Sequence, residues 1–264
     1  MKIFDKKDLE NILKGYRAHS YVVDKAKNEE GVDSRIVSHV DKGSYIAEQY
    51  KALRTNLYSL AVDKPIKTMV ITSAQPLEGK SVTCCNLGVT LSLDVEKKVL
   101  LVDADLRRPM IHQMLGIKKS PGFCEILSGE SDINKFTERP AIGNLFIIPS
   151  GFAKGSPSEL LGSTKIKNII NTLREKFDYI IFDTPPVLNV TDATILGSIC
   201  DAVILVVKAE VTNKNMVEEA FNMLAGAQAK PRAAIITNMY LLADSSTYYY
   251  RYKYYRKEND SKET

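Results

Sequence analysis

Three places in the chain set phosphate- or metal-competent side chains directly behind short apolar runs. The first is TSAQPLEGKSV, Thr72–Val82, in which Gly79-Lys80-Ser81 opens a helical pattern. A helix start offers unpaired backbone N–H groups and the positive end of the helix dipole, both of which favour an anion. In such a loop a lysine meets the β- and γ-phosphates of a nucleotide, and the serine hydroxyl binds Mg2+. The full phosphate-loop pattern asks for a glycine five residues before Gly79, and Ala74 stands there instead. Leu77 lies inside the loop as well. A leucine held at positive φ is strained, which predicts weak nucleotide affinity that Leu77→Gly tightens.

The second place is VLLVDADLRRP, where Asp103 and Asp105 end an apolar run one residue apart. On an extended strand end, residues two apart point the same way, so both carboxylates converge on one phosphate or metal. The third is DYIIFDTPPV, ending at Asp183, which has the shape of a carboxylate that holds Mg2+. An aspartate closing a strand is often only a turn or cap residue, and Gly-Lys-Ser alone occurs by chance on surface loops. Three such endings in one chain weigh against accident.

The elements that must position these groups alternate in type. Apolar runs at Lys67–Ser73, Lys97–Asp103, Asn144–Ser150, Asp178–Asp183, Asp201–Val207 and Arg232–Asn238 predict strands. Most lack strict alternation, as strands covered on both faces should. Helical patterns fall between them at Gly79–Leu93, Ser156–Phe177, Thr191–Ser198 and Asn213–Gly226. The fold class expected is α/β, a doubly wound and mostly parallel sheet of P-loop NTPase type with flanking helices. Ligands in such sheets bind at the carboxyl ends of the strands. The domain organisation expected is a polar, partly helical or disordered segment 1–43, a main domain 44–243 that begins with a helix, and a flexible tail 244–264. In that leading helix Ile46, Tyr50, Leu53, Leu57 and Leu60 recur at four- and three-residue steps and form one apolar stripe.

Composition narrows the function classes. With 44% apolar and 26% charged residues over 264 positions, this is ordinary globular usage, and the formal charge of +4 is too small to argue for nucleic acid. Four cysteines without C-x-x-C spacing and three histidines argue against a metal cluster or a disulfide framework and suggest buried thiols in a reducing compartment. No run reaches the ~18 apolar residues of a membrane span. A cytoplasmic location follows, with any membrane role supplied through a partner.

The most unusual stretch is the tail. Tyr248, Tyr249, Tyr250, Tyr252, Tyr254 and Tyr255 are six tyrosines in eight residues, interleaved with Arg251, Lys253, Arg256 and Lys257. The basic residues interrupt any apolar face, so core packing explains the cluster poorly. An aromatic-basic patch for RNA or another anionic surface is one reading. A phosphoacceptor cluster is the other: six phosphates bring roughly −9 to −12 charges, enough to overwhelm the +2 of residues 251–264.

With these motifs in hand, the chain resembles the bacterial tyrosine kinases of capsule and exopolysaccharide synthesis from about Gly43 onward. The resemblance rests on SAQPLEGKS, LLVDADLRRP, YIIFDTPP, the preceding EQYKALRTN and the terminal tyrosines, in that order. It implies an ATP- and Mg2+-dependent kinase that phosphorylates its own tail between subunits. Gly79, Lys80, Ser81 and Val82 would hold the nucleotide, with Lys80 contributing to catalysis. Asp103 would accept or orient the tyrosine proton, assisted by Asp105, and Ser81, Asp103 and Asp183 would hold the metal. Asn238, after the last strand, would bond the adenine. Arg107 and Arg108 would contact phosphate, a neighbouring subunit or only solvent.

The resemblance also implies partners: a transmembrane chain-length-determinant protein as activator at the inner face of the membrane, a tyrosine phosphatase, no nucleic acid, and a ring of copies when unphosphorylated. The ring motif falls on Glu48, Lys51 and Arg54, which otherwise read as a solvated helix face. Lys51 replaces an arginine of the family pattern and loses its bidentate fork, which predicts a weaker ring. Leu77 and Val82 depart from the usual glycine and threonine. They leave open a scaffold that binds ATP without transfer. A partitioning ATPase of the deviant-Walker type is the remaining alternative, but Gln75 stands where those proteins carry a signature lysine.

Overall fold

The computed structural model describes residues 31–61, 65–129, 137–153 and 155–238. Its centre is a six-stranded parallel sheet of order β3-β2-β4-β1-β5-β6. The strands are β1 (Thr68–Ser73), β2 (Val99–Asp103), β3 (Leu145–Ile148), β4 (Tyr179–Asp183), β5 (Ala202–Lys208) and β6 (Pro231–Thr237). Each lies within a residue or two of its apolar run. β1, β2 and almost all of β5 are buried along their length, because helices cover both faces.

One face carries α1 (Val37–Val40), α2 (Tyr45–Leu60), α3 (Lys80–Ser92) and α4 (Ile111–Met114). The other carries α5 (Phe123–Ser128), α6 (Pro157–Leu161), α7 (Lys165–Lys176), α8 (Asp192–Ile199) and α9 (Lys214–Gly226). Helix α3 touches both the sheet and the α1–α2 layer, and it is buried at nearly every position from Ser81 to Ser92. Its Gly88 packs so closely on β2 that an added Cβ would fall 2.5 Å from Leu101.

The stripe of α2 differs from the one expected. Tyr50, Leu53 and Leu57 are buried, but Ala47 turns inward, while Ile46 and Leu60 stay 39% and 40% exposed. The buried line runs through Ala47, Tyr50, Leu53 and Leu57, and Ile46 and Leu60 lie to its sides. Ser44 caps this helix by accepting the Ala47 N–H at 3.1 Å.

Residues 31–43, read from sequence as a weakly patterned lead-in, are in part core. Val32, Ile36 and Val37 are buried. The Asn86 amide oxygen accepts the Ser38 N–H, and its amide nitrogen donates to the Arg35 and Val82 carbonyls, each at 2.9 Å. Thr90 adds a 3.0 Å bond to the Ser38 hydroxyl. Three apolar residues at irregular spacing give no periodic signal, and Asn86 lies 48 residues away from Ser38. Residues 1–30 and the tail, including its six tyrosines, lie outside the described residues. The four cysteines are free and buried.

Candidate nucleotide and phosphoryl-transfer site

β1, β2 and β4 lie side by side, so their carboxyl ends bring the three sequence motifs to one place. Asp103 and Asp183 close neighbouring strands as register partners. The loop after β1 runs into α3, with Gly79 at φ 91° as the helix start. The first turn of α3 then presents Lys80 and Ser81, and Lys80 Nζ lies 2.8 Å from Asp105 Oδ2 and 3.4 Å from Ser81 Oγ. Burial alone would lower the Lys80 pKa. Asp183, Asp105 and Asp103 outweigh that, and the ammonium sits above its ordinary value.

The carboxylates are not equivalent. Asp105 Oδ1 accepts the Arg108 N–H at 2.9 Å, so with Lys80 on its other oxygen it is fully engaged. Asp103 Oδ2 accepts the Ile111 N–H at 3.0 Å, while its Oδ1 is buried without a partner. Both oxygens of Asp183 are buried with no partner in hydrogen-bond geometry, and the nearby Ser81 hydroxyl pulls its pKa down. Desolvation pushes Asp183 up to about 6 against the pull of Lys80. Desolvation and then the Asp183 charge drive Asp103 well above the usual carboxylate range. Buried acceptors left open are rare and call for a ligand or a functional reason.

A divalent cation fits this donor set. The unpartnered oxygens of Asp183 and Asp103, with the Ser81 hydroxyl, are the hard oxygen ligands that Mg2+ prefers. Among the described residues no three His, Cys, Asp or Glu side chains are arranged to hold a metal by themselves. Such an ion would keep water or phosphate oxygens as its remaining ligands.

Other expected residues divide. Asn238 follows β6 at φ 57° and is exposed, and Thr237 beside it donates to the Glu78 carbonyl at 2.9 Å, which seats that strand end against the phosphate loop. Val82 is half-buried among the α1–α3 residues. Arg107 is committed inside the chain: it donates to Asp192 at 3.2 Å and to Ser158 at 2.8 Å, and Ser158 in turn donates to Asp192 at 2.7 Å. Arg108 is exposed. Of the three α2 charges, Lys51 pairs with Glu48 at 2.6 Å, and Arg54 donates to the Thr90 carbonyl of α3 at 3.0 Å.

Sequence reasoning missed Glu78 and Asp192. Glu78 is 1% exposed inside the loop. Asp192 is 0% exposed under Arg107. Both meet partners 85 to 134 residues distant, so spacing carries no trace of them.

A parallel sheet with a lysine-serine helix start and buried strand-end carboxylates defines a nucleotide-binding P-loop protein. The AAA domain model matches residues 66–235. The chain is 35% identical over 215 residues to the tyrosine-protein kinase YwqD of Bacillus subtilis, covering 81% of this chain and 90% of that one. It is 40% identical over 181 residues to the tyrosine-protein kinase CpsD of Streptococcus pneumoniae serotype 4, covering 67% of this chain and 77% of that one. The kinase domain of the Escherichia coli tyrosine kinase ETK superimposes with a TM-score of 0.75 at 25% identity, covering 86% of this chain and 84% of that one. The chain belongs to the bacterial tyrosine-protein kinases. Among the described residues no helix is long and apolar enough to cross a membrane.

Proposed function

We propose that this chain is an ATP-dependent protein-tyrosine autokinase whose acceptor is its own tyrosine cluster, Tyr248 to Tyr255, and whose phosphorylation state regulates polysaccharide polymerisation and export. The observation that carries the reading is the convergence of Lys80, Asp103, Asp105 and Asp183 at the ends of adjacent strands. Lys80 neutralises charge on the transferring phosphate, and the backbone N–H groups of Gly79 to Val82 cradle its neighbours. Ser81, Asp103 and Asp183 would hold Mg2+, which when bound supplies charge neutralisation at the phosphates.

Asp103 faces the acceptor's proton. A free tyrosine hydroxyl has a pKa of ~10, so a nearby carboxylate that accepts its proton late in the transfer suits the chemistry. The bond from tyrosine oxygen to γ-phosphorus forms as the bond to the β,γ-bridging oxygen breaks. ADP leaves with that electron pair, and the phenolic proton goes to Asp103. Asp105 holds Lys80 and the loop that follows β2 in place. Asn238 contacts the adenine.

The same reading assigns Glu48, Lys51 and Arg54 to contacts between copies in a ring. A transmembrane chain-length-determinant protein serves as activator and recruits the kinase to the inner membrane face, and a tyrosine phosphatase resets it. Lys80→Ala is expected to abolish phosphotyrosine in the C-terminal peptide, read by mass spectrometry; persistent signal in the purified variant overturns the proposal. Incubation with ATP and Mg2+, with and without the activator's cytoplasmic segment, separates the alternatives. Phosphate on tyrosine marks the kinase, free phosphate a partitioning-type ATPase, and neither product a scaffold.

A further inference from the structure

The phosphate loop contains a strained residue and, next to it, a buried acid that holds it in place. Leu77 stands at φ 66° and is 91% exposed, so no packing contact accounts for its conformation. Glu78 is buried and satisfied from three directions. Its Oε2 accepts the Gln75 N–H at 2.9 Å, which closes the turn across Pro76 and Leu77. Its Oε1 accepts the Thr212 hydroxyl from the loop after β5. Its backbone carbonyl accepts the Thr237 hydroxyl from the end of β6. Thr212 is fixed in turn by the Lys208 N–H at 3.2 Å.

We infer that Glu78 is the positioning residue of the phosphate loop, an internal clamp that holds the loop in its binding shape despite Leu77 and without the early glycine that Ala74 replaces. The inference rests on the reading of this loop as a phosphate cradle. Only glycine adopts positive φ cheaply, so an unclamped loop relaxes Leu77 to negative φ and must restore it on every binding event. A clamped loop carries that strain before and after binding alike, and its cost disappears from the affinity. The clamp therefore changes what the strained leucine alone predicts: Leu77→Gly leaves the affinity of the native chain almost unchanged and matters only once the clamp is cut.

The test measures ADP binding with Mg2+ by calorimetry on the full chain. Glu78→Gln keeps the shape of the side chain but removes its charge and one acceptor. It is expected to raise the ADP Kd by ~10-fold or more, the size expected for charge-assisted hydrogen bonds. Adding Leu77→Gly to that variant should recover ~5-fold, whereas in the native background the same change should stay within ~2-fold. Thr212→Val, which cuts the clamp from outside the loop, should raise Kd in the same direction and respond to Leu77→Gly in the same way. It keeps the proposal testable if Glu78→Gln fails to fold. An unchanged Kd in Glu78→Gln, or an equal gain from Leu77→Gly in all backgrounds, overturns the clamp. If the native chain itself binds no ADP, the cradle reading fails, and the clamp with it.

Discussion

Asp201 and Asp183 sit at opposite ends of the same sheet and are treated in opposite ways. At the amino end, Asp201 accepts the Lys67 and Thr68 N–H groups, the Thr68 hydroxyl and the Arg174 guanidinium at 2.8–3.0 Å. Those donors more than offset its burial and hold it below the usual carboxylate range. At the carboxyl end, Asp183 has no partner and is pushed up to about 6, chiefly by desolvation. Every acceptor on Asp201 is used to tie strands to a helix. Those on Asp183 are left open, beside Asp103 with one oxygen open as well. One end of the sheet is finished as structure, and the other is left unsatisfied within the chain.

The sharpest way to break this contrast is to neutralise the open end. Asp183→Asn and Asp103→Asn are expected to lower tyrosine phosphorylation by ~10²–10⁴-fold, the range for a positioned acid–base or charge-bearing group. Thermal unfolding should stay level or shift upward, because each change removes a buried charge with at least one oxygen left open. A fall in stability as large as the fall in activity would erase the distinction. The opposite experiment is Asp201→Ala. It should cost about 2–3 kcal/mol in chemical denaturation, through the lost Arg174 ion pair and two N–H groups left without their acceptor, while activity per folded molecule is retained.

A smaller difference between the two aspartates emerges with pH. The folded pKa of Asp183 lies above its unfolded value, so its contribution to stability is complete below about pH 4 and is lost as pH rises through about 6. The advantage of Asp183→Asn over the native chain should thus be greatest at pH 7–8 and shrink by on the order of 1–3 kcal/mol toward pH 4. The folded pKa of Asp201 is depressed, so its contribution is present above the unfolded value and lost as pH falls through the folded one. The penalty of Asp201→Asn should hold steady from pH 8 to 5 and shrink only below about 4. Denaturation curves in EDTA across this range check both slopes; parallel slopes for the two variants would contradict the model of two ends.

Much of this arrangement was legible in the sequence, and the reasons are local. The strands announced themselves as unbroken apolar runs, because a parallel sheet is covered on both faces. Asp103, Asp105 and Asp183 were legible because they end those runs, and Leu77 because it replaces a residue that tolerates positive φ. Helices α4 and α5, at four and six residues, are too short to show a period and were not anticipated. In α2 the stripe of Ile46, Tyr50, Leu53, Leu57 and Leu60 gains Ala47 and loses Ile46 and Leu60, because periodicity sets a face but not its edges. Glu78, Asn86 and Asp192 were silent for a different reason. Their identities are ordinary polar residues, and only distant partners give them meaning.

One of those silent residues has a practical consequence. The Ser38 amide ends on the side chain of Asn86, one helical turn past Val82 on the helix that Lys80 opens. Any shift of that helix would therefore register in the resonance and exchange rate of a single backbone proton, on the segment that precedes α2. The segment ahead of α2 thus carries, in one amide, a probe of the helix that opens the phosphate loop.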